Sequence, residues 1–190
     1  MSSLPKDSVW FSKSSIPMGN PSTGLPSSKL KQAHLLTLCP IVTGCSSGIG
    51  ADICKYVVSQ GHRLVATARK VEALNYLEDS PSILKLPLDV TSEKARTDAL
   101  NAALEKFGRI DVLCNNAGYG LYGDTEALTE EQMRNQVETN FWGALGLTRE
   151  AVRIFREVNP KSGEIGGIVV QVSSIGGRAA FPGGALYHAS

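Results

Sequence analysis

Thr43-Gly44-Cys45-Ser46-Ser47-Gly48-Ile49-Gly50 is entered from an apolar run and leaves into a stretch with helical periodicity. Gly44 permits a tight turn, while Gly48 and Gly50 keep side chains away from the backbone. A dinucleotide pyrophosphate can then lie against the N–H groups at the start of the following helix. The residues assigned to that cradle are Gly44, Ser46, Ser47, Gly48, Ile49 and Gly50. Their glycines are separated by three residues and then by one. That spacing is neither G-x-G-x-x-G nor a P-loop, whose last glycine precedes Lys-Ser/Thr. Alone, such a turn decides little; the pattern downstream gives it meaning.

Strand and helix signals alternate outward from this turn. Ile49, Ile53, Tyr56 and Val57 predict the apolar face of a helix ending near Gly61. Arg63 to Ala68 predicts a second strand, followed by Arg69 and a helix around residues 71–78. Ser82 to Val90 predicts a third strand. Thr91 or Ser92 then caps a helix carrying Ala95, Leu100, Ala103, Leu104 and Phe107, closed by Gly108. Ile110 to Cys114 is a fourth strand running into Asn115-Asn116-Ala117-Gly118. A long helix capped by Thr129 runs from about Glu130 to Val158, and Gly167 to Val172 forms a fifth strand ending at Ser173-Ser174. The alternation predicts an α/β fold: a doubly wound parallel sheet with helices on both faces.

With 190 residues, 42% of them hydrophobic, the chain suffices for one domain with a substantial core. A formal net charge of +1 argues against nucleic acid or a membrane surface as partner. No apolar run reaches the length of a membrane span. The four cysteines (Cys39, Cys45, Cys54, Cys114) lack metal-ligand spacing, and His62 and His188 read as surface or helix-end residues, so no metal is expected. Cys54 and Cys114 read as core thiols, which suits a reducing, cytoplasmic compartment. Trp142, Phe141 and Leu145 read as packing residues of the long helix, and Tyr119 and Tyr122 as loop residues near any cleft beyond the fourth strand.

Residues 1–36 differ from the rest. Ser12 to Ser28 is rich in Ser, Pro and Gly without apolar periodicity and reads as a disordered arm or insert, leaving residues 37–190 as the domain. The expected first strand, Leu38 to Thr43, contains Pro40, which cannot donate to a central sheet ladder. Val9-Trp10-Phe11 resembles the start of that strand, separated from its turn. One explanation is a translated intron covering Ser12 to about Val42. Ser12-Lys13-Ser14 is compatible with a coding run containing the splice donor GTAAGT, Leu36-Thr37 with a branch-point CTAAC, and Ile41-Val42 with an acceptor AG.

From Val42 to Ser190 the chain resembles the short-chain dehydrogenase/reductase family, with motifs in that family's order. The Thr43–Gly50 turn matches its cofactor motif, Leu88-Asp89-Val90 its adenine segment, and Asn115-Asn116-Ala117-Gly118 its fourth-strand motif. Thr139-Asn140 matches the helix asparagine of the catalytic tetrad, and Ser174 and Tyr187 lie thirteen residues apart, as the family's serine and tyrosine do. The resemblance implies a Rossmann-like sheet and hydride transfer between a nicotinamide cofactor and a carbonyl or secondary alcohol. It assigns Ser174, Tyr187 and Asn140 to catalysis, and Asp89, Val90, Asn116, Ala117 and Gly118 to cofactor binding. Tyr187 would donate the proton and Ser174 a hydrogen bond to the same developing alkoxide. Arg69, where an acid would accept from a ribose 2′-hydroxyl, suits the 2′-phosphate of NADP(H) rather than NAD(H). The motif wording is similar to the hydroxysteroid, retinol and acyldihydroxyacetone-phosphate reductase branch, which implies a lipophilic substrate; the family also implies a homo-oligomer.

The resemblance places a lysine directly after Tyr187-His188-Ala189-Ser190, and further strands beyond it. Its positive charge would assist Tyr187, so a chain ending at Ser190 is expected to be a poor catalyst. The fifth strand is expected to be an exposed apolar edge prone to aggregation. The alternative expectation is therefore a non-catalytic dinucleotide-binding fragment.

Overall fold

Ile41 and Val42 occupy the middle strand of a five-stranded parallel sheet. The computed structural model describes residues 37–163 and 165–190. Its strands are β1 (Pro40–Val42), β2 (Leu64–Ala68), β3 (Ile83–Pro87), β4 (Val112–Asn115) and β5 (Ile168–Gln171), ordered β3-β2-β1-β4-β5. Every pairing is parallel. β1 and β2 are buried throughout, which is why they read as continuous apolar runs rather than alternating ones.

Successive side chains point to opposite faces, and each face has its own core. Ile41, Val65 and Leu113 meet Leu100 and Ala103 of α2 (Glu93–Phe107) and Leu147, Ala151 and Ile154 of α4 (Ala144–Glu157). Val42, Leu64, Ala66 and Cys114 meet Cys54 of α1 (Gly48–Ser59), together with Leu74 and Leu77. The doubly wound sheet with helices on both faces is what the chain forms.

Pro40 proves compatible with a central strand. It pairs with Val112 on β4, whereas the ladder to β2 begins one residue later at Ile41. The missing donor thus falls at the first residue of the strand, where proline is tolerated. The proposed insert over residues 12–42 lies outside the described residues up to 36, as does the arm assigned to 1–36. Its last residues, Pro40 to Val42, are the fully buried β1 itself.

Other boundaries shift for local reasons. Ile49 and Tyr56 do not join the apolar face of α1: they are 63% and 66% exposed. The helix packs through its small residues Gly50, Ala51 and Cys54, which let it approach β1 closely. The expected helix over 71–78 shrinks to one 3₁₀ turn, Val71–Leu74, whose burial needs only Leu74 and Leu77, three positions apart. Ser92, not Thr91, caps α2, its hydroxyl accepting from Ala95 N–H at 3.2 Å. Thr129 caps α3 (Glu130–Val137) in a reciprocal capping box with Gln132. The helical run then continues to Glu157 through a π-helical turn, Glu138–Gly143, that periodicity alone did not indicate. Phe141, Trp142 and Leu145 are exposed rather than packed, with the two aromatic rings edge to face at 5.0 Å.

Candidate active site

Parallel strands put every strand-to-helix turn at one end of the sheet. The Gly44–Gly50 turn leaves the carboxyl end of β1, Arg69 that of β2, Leu88–Val90 that of β3, Asn116–Gly118 that of β4 and Ser174 that of β5. The chain leaves β1 toward β2 on one side, and β4 lies on the other. That reversal of winding direction is the switch point where open α/β sheets form a crevice.

The turn after β1 is shaped by backbone contact. Gly44 has φ 68°, and a Cβ there would stand 2.8 Å from the Ala117 Cα. A Cβ on Gly50 would stand 2.4 Å from the Gly44 carbonyl oxygen and 2.5 Å from the Asn116 amide nitrogen. Asn116 Nδ2 donates to the carbonyls of Thr43 and Gly44 at 2.9 and 3.2 Å. Buried Thr43 Oγ1 accepts from the N–H groups of Asn116 and Ala117, each at 2.9 Å. Asn116 and Ala117 are thereby tied to the glycine turn, whereas a Cβ on Gly118 would stand 3.2 Å from Asn140 Oδ1. Ser47 occupies the N-cap of α1 without a side-chain capping bond, and Gly48 has nothing within 4 Å of a built Cβ. Among the described residues, the N–H groups of Gly48, Ile49 and Gly50 meet no protein acceptor. Free N–H groups, a helix N-terminus and the exposed hydroxyls of Ser46 and Ser47 suit a pyrophosphate. The residues present fit a dinucleotide.

Tyr76 is a supporting residue that the sequence reading missed. Its hydroxyl donates to the Cys45 carbonyl at 2.8 Å and holds the turn from outside. Burial raises the Cys114 thiol and pushes Cys39 up to about 12, whereas a hydrogen bond with Cys45 lowers Cys54.

On the adenosine side Arg69 is exposed at the end of β2. Asp89 accepts from the Thr91 hydroxyl at 2.7 Å and from Thr91 N–H at 2.9 Å. These bonds, with help from the Arg69 charge, hold its carboxyl below the usual carboxylate range. Val90 is placed differently: its side chain is buried against Gly143 and its carbonyl accepts from Arg96 at 2.6 Å.

Asn140 lies inside the π-helical turn, a device that often marks functional sites. Its Oδ1 accepts from Tyr119 N–H at 3.1 Å, while its Nδ2 donates to the Tyr119 carbonyl at 3.0 Å and to Ser190 Oγ at 3.1 Å. Ser190 Oγ in turn donates to the Tyr187 carbonyl at 3.3 Å. Ser174 and Tyr187 flank Gly176. Ser174 Oγ accepts from Gly176 N–H at 3.1 Å, and a Cβ on Gly176 would stand 3.0 Å from Tyr187 Cε1. Tyr187 is half-buried on α5 (Ala185–Ala189), its ring tilted against Tyr122 at 5.7 Å between centroids. Tyr122, Phe181 and Ile175 are exposed at 64%, 54% and 67%. Gln136, one helical turn before Asn140, also belongs to this region and was not singled out from sequence. The i, i+4 spacing from Asn140 was the available signal.

A doubly wound sheet with a glycine turn at its switch point and a serine–tyrosine pair beyond β5 defines a dinucleotide-binding dehydrogenase fold. The sequence pattern of the short chain dehydrogenases matches residues 39–190, and the chain belongs to that family. Over 154 residues it is 49% identical to the oxidoreductase calM of Penicillium decumbens, covering 78% of this chain and 50% of that protein. A short-chain dehydrogenase from Streptomyces avermitilis is similar in structure, with a TM-score of 0.73 at 35% identity, over 80% of this chain and 55% of that one. A 3-ketoacyl-(acyl-carrier-protein) reductase from Brucella melitensis, solved with NADH, has a TM-score of 0.72 at 29% identity, over 80% and 63% of the two chains. The chain spans about half the length of the curated relatives it matches. No helix among the described residues is long and apolar enough to cross a membrane.

Proposed function

We propose that the protein is an NADP(H)-dependent oxidoreductase acting on a carbonyl or secondary alcohol of a lipophilic small molecule. One observation carries this reading: the glycine turn, Arg69, Asp89, Asn140, Ser174 and Tyr187 all gather at the carboxyl end of one parallel sheet. The free N–H groups of Gly48, Ile49 and Gly50 would hold the pyrophosphate, and Asn116 and Ala117 brace the turn that carries them. Arg69 pairs with the 2′-phosphate through charge-assisted hydrogen bonds. When bound, the dinucleotide supplies the hydride. Tyr187 gives its Oη proton to the carbonyl oxygen, Ser174 Oγ donates a hydrogen bond to that oxygen, and Asn140 holds the turn bearing Tyr187. Tyr122, Phe181 and Ile175 offer apolar surface to the rest of the substrate.

Calorimetric titration with NADPH and NADH tests the cofactor half. Arg69→Glu is expected to weaken NADPH on the order of tenfold or more while sparing NADH. Equal affinities for the two before and after substitution overturn the NADP assignment. A carbonyl panel then separates the two expectations: NADPH-dependent turnover abolished by Tyr187→Phe supports the reductase, and binding without turnover supports a non-catalytic dinucleotide module.

A further inference from the structure

Gln136 is fully buried on α3, and a buried amide must find partners for its polar atoms. Its Oε1 accepts from Leu121 N–H at 2.6 Å, and its Nε2 donates to the Tyr119 carbonyl at 2.6 Å and to Ser190 Oγ at 3.4 Å. Those partners fix which way the amide faces, because an N–H needs the oxygen and a carbonyl needs the NH2 group. Asn140 grips Tyr119 from the next turn, through both its N–H and its carbonyl. Beyond Tyr122 the loop is pinned again, Gly123 N–H donating to the Gly183 carbonyl at 2.8 Å. Tyr122 is therefore held from both sides. Its ring folds over Gly120, where a Cβ would stand 2.7 Å from Tyr122 Cε2, and rests against the Tyr187 ring at 50°.

We propose that Gln136 is a positioning residue for Tyr187. By bonding both edges of the 119–121 segment, it holds the loop so that Tyr122 backs the Tyr187 ring. The inference rests on the reading of Tyr187 as proton donor, yet its physical content, a lock on that ring, is separately measurable.

The test uses Gln136→Leu and Gln136→Glu in the full chain. Leucine fills similar space without bonds. It is expected to speed hydrogen exchange at the Leu121 amide, and nitration of Tyr187 by tetranitromethane, each on the order of tenfold relative to Tyr56 on α1. The glutamate is more telling. Protonated, it accepts from Leu121 N–H and donates to the Tyr119 carbonyl as the glutamine does; ionised, it has no donor for that carbonyl. Burial raises its pKa, so the lock is complete at low pH and is lost as pH rises through the raised folded-state value. Leu121 protection in Gln136→Glu should fall along that limb, while the wild type stays level after correction for intrinsic exchange.

Unchanged Tyr187 nitration in Gln136→Leu, or a level Gln136→Glu profile, overturns the positioning role and leaves the reductase reading intact. Faster nitration in a protein that reduces no carbonyl upholds the lock and removes the reductase reading. Should Gln136→Leu not fold, the Gln136→Glu profile decides alone.

Discussion

The two flanks of β1 are held by different kinds of contact. On the β2 side, strand residues are buried from Leu64 to Ala68, Cys45 N–H of the glycine turn donates to the Thr67 carbonyl at 2.9 Å, and within the turn a Cβ on Gly50 would meet the Gly44 carbonyl. On the β5 side, Val169 packs into the core under α4, but Ile168, Val170 and Val172 are 59%, 42% and 38% exposed. There the candidate catalytic groups are arranged by side-chain amides: Asn140 and Gln136 reaching Tyr119, Leu121 and Ser190. A flank held by close backbone approach cannot accept added atoms. One held by amide hydrogen bonds accepts changes in surface volume but not the loss of a donor or acceptor.

The largest expected effect is on the first flank. Gly50→Val forces a side chain into the Gly44 carbonyl and should cost about 3 kcal/mol or more. Urea unfolding reads that cost, and calorimetry should find dinucleotide binding lost with it. A midpoint like the wild type's would mean that the turn reshapes freely, erasing the contrast between the flanks.

A smaller loss is expected where the two flanks meet. Thr43→Val leaves the N–H groups of Asn116 and Ala117 without their acceptor, costing about 2 kcal/mol, and Thr43→Ser should restore it. Equal destabilisation by serine and valine would assign the effect to packing rather than to the hydroxyl.

The smallest effect belongs to the exposed edge. Val170→Lys should change stability by no more than about 0.5 kcal/mol while lowering light scattering on concentration. A cost well above that range would show that Val170 is covered in solution, and the two flanks would then be alike.

The order of elements was legible because burial selects for residue type. Apolar runs bounded by Gly, Ser and Thr marked β1 to β5, and Thr129, Ser92 and Gly108 marked helix ends through backbone needs that few residues meet. The Thr43–Gly50 turn was legible for the same reason, since only glycine clears the contacts at 44 and 50. Periodicity failed where other rules prevailed. It put Ile49 and Tyr56 in the core, although α1 docks through Gly50, Ala51 and Cys54, and it extended the 71–74 turn into a helix.

By itself, then, the sequence determined the winding of the sheet and the glycine turn, because these follow from burial and backbone sterics read locally, whereas Asn140, Ser174 and Tyr187 were singled out by resemblance to a family's motifs. Only the tertiary structure decided that Pro40 opens β1, that Val90 turns into the core, that a π-helical turn presents Asn140, and that Gln136 grips a loop fifteen residues away. Those depend on which donor meets which acceptor across the fold, and a buried amide announces its need for a partner without naming it.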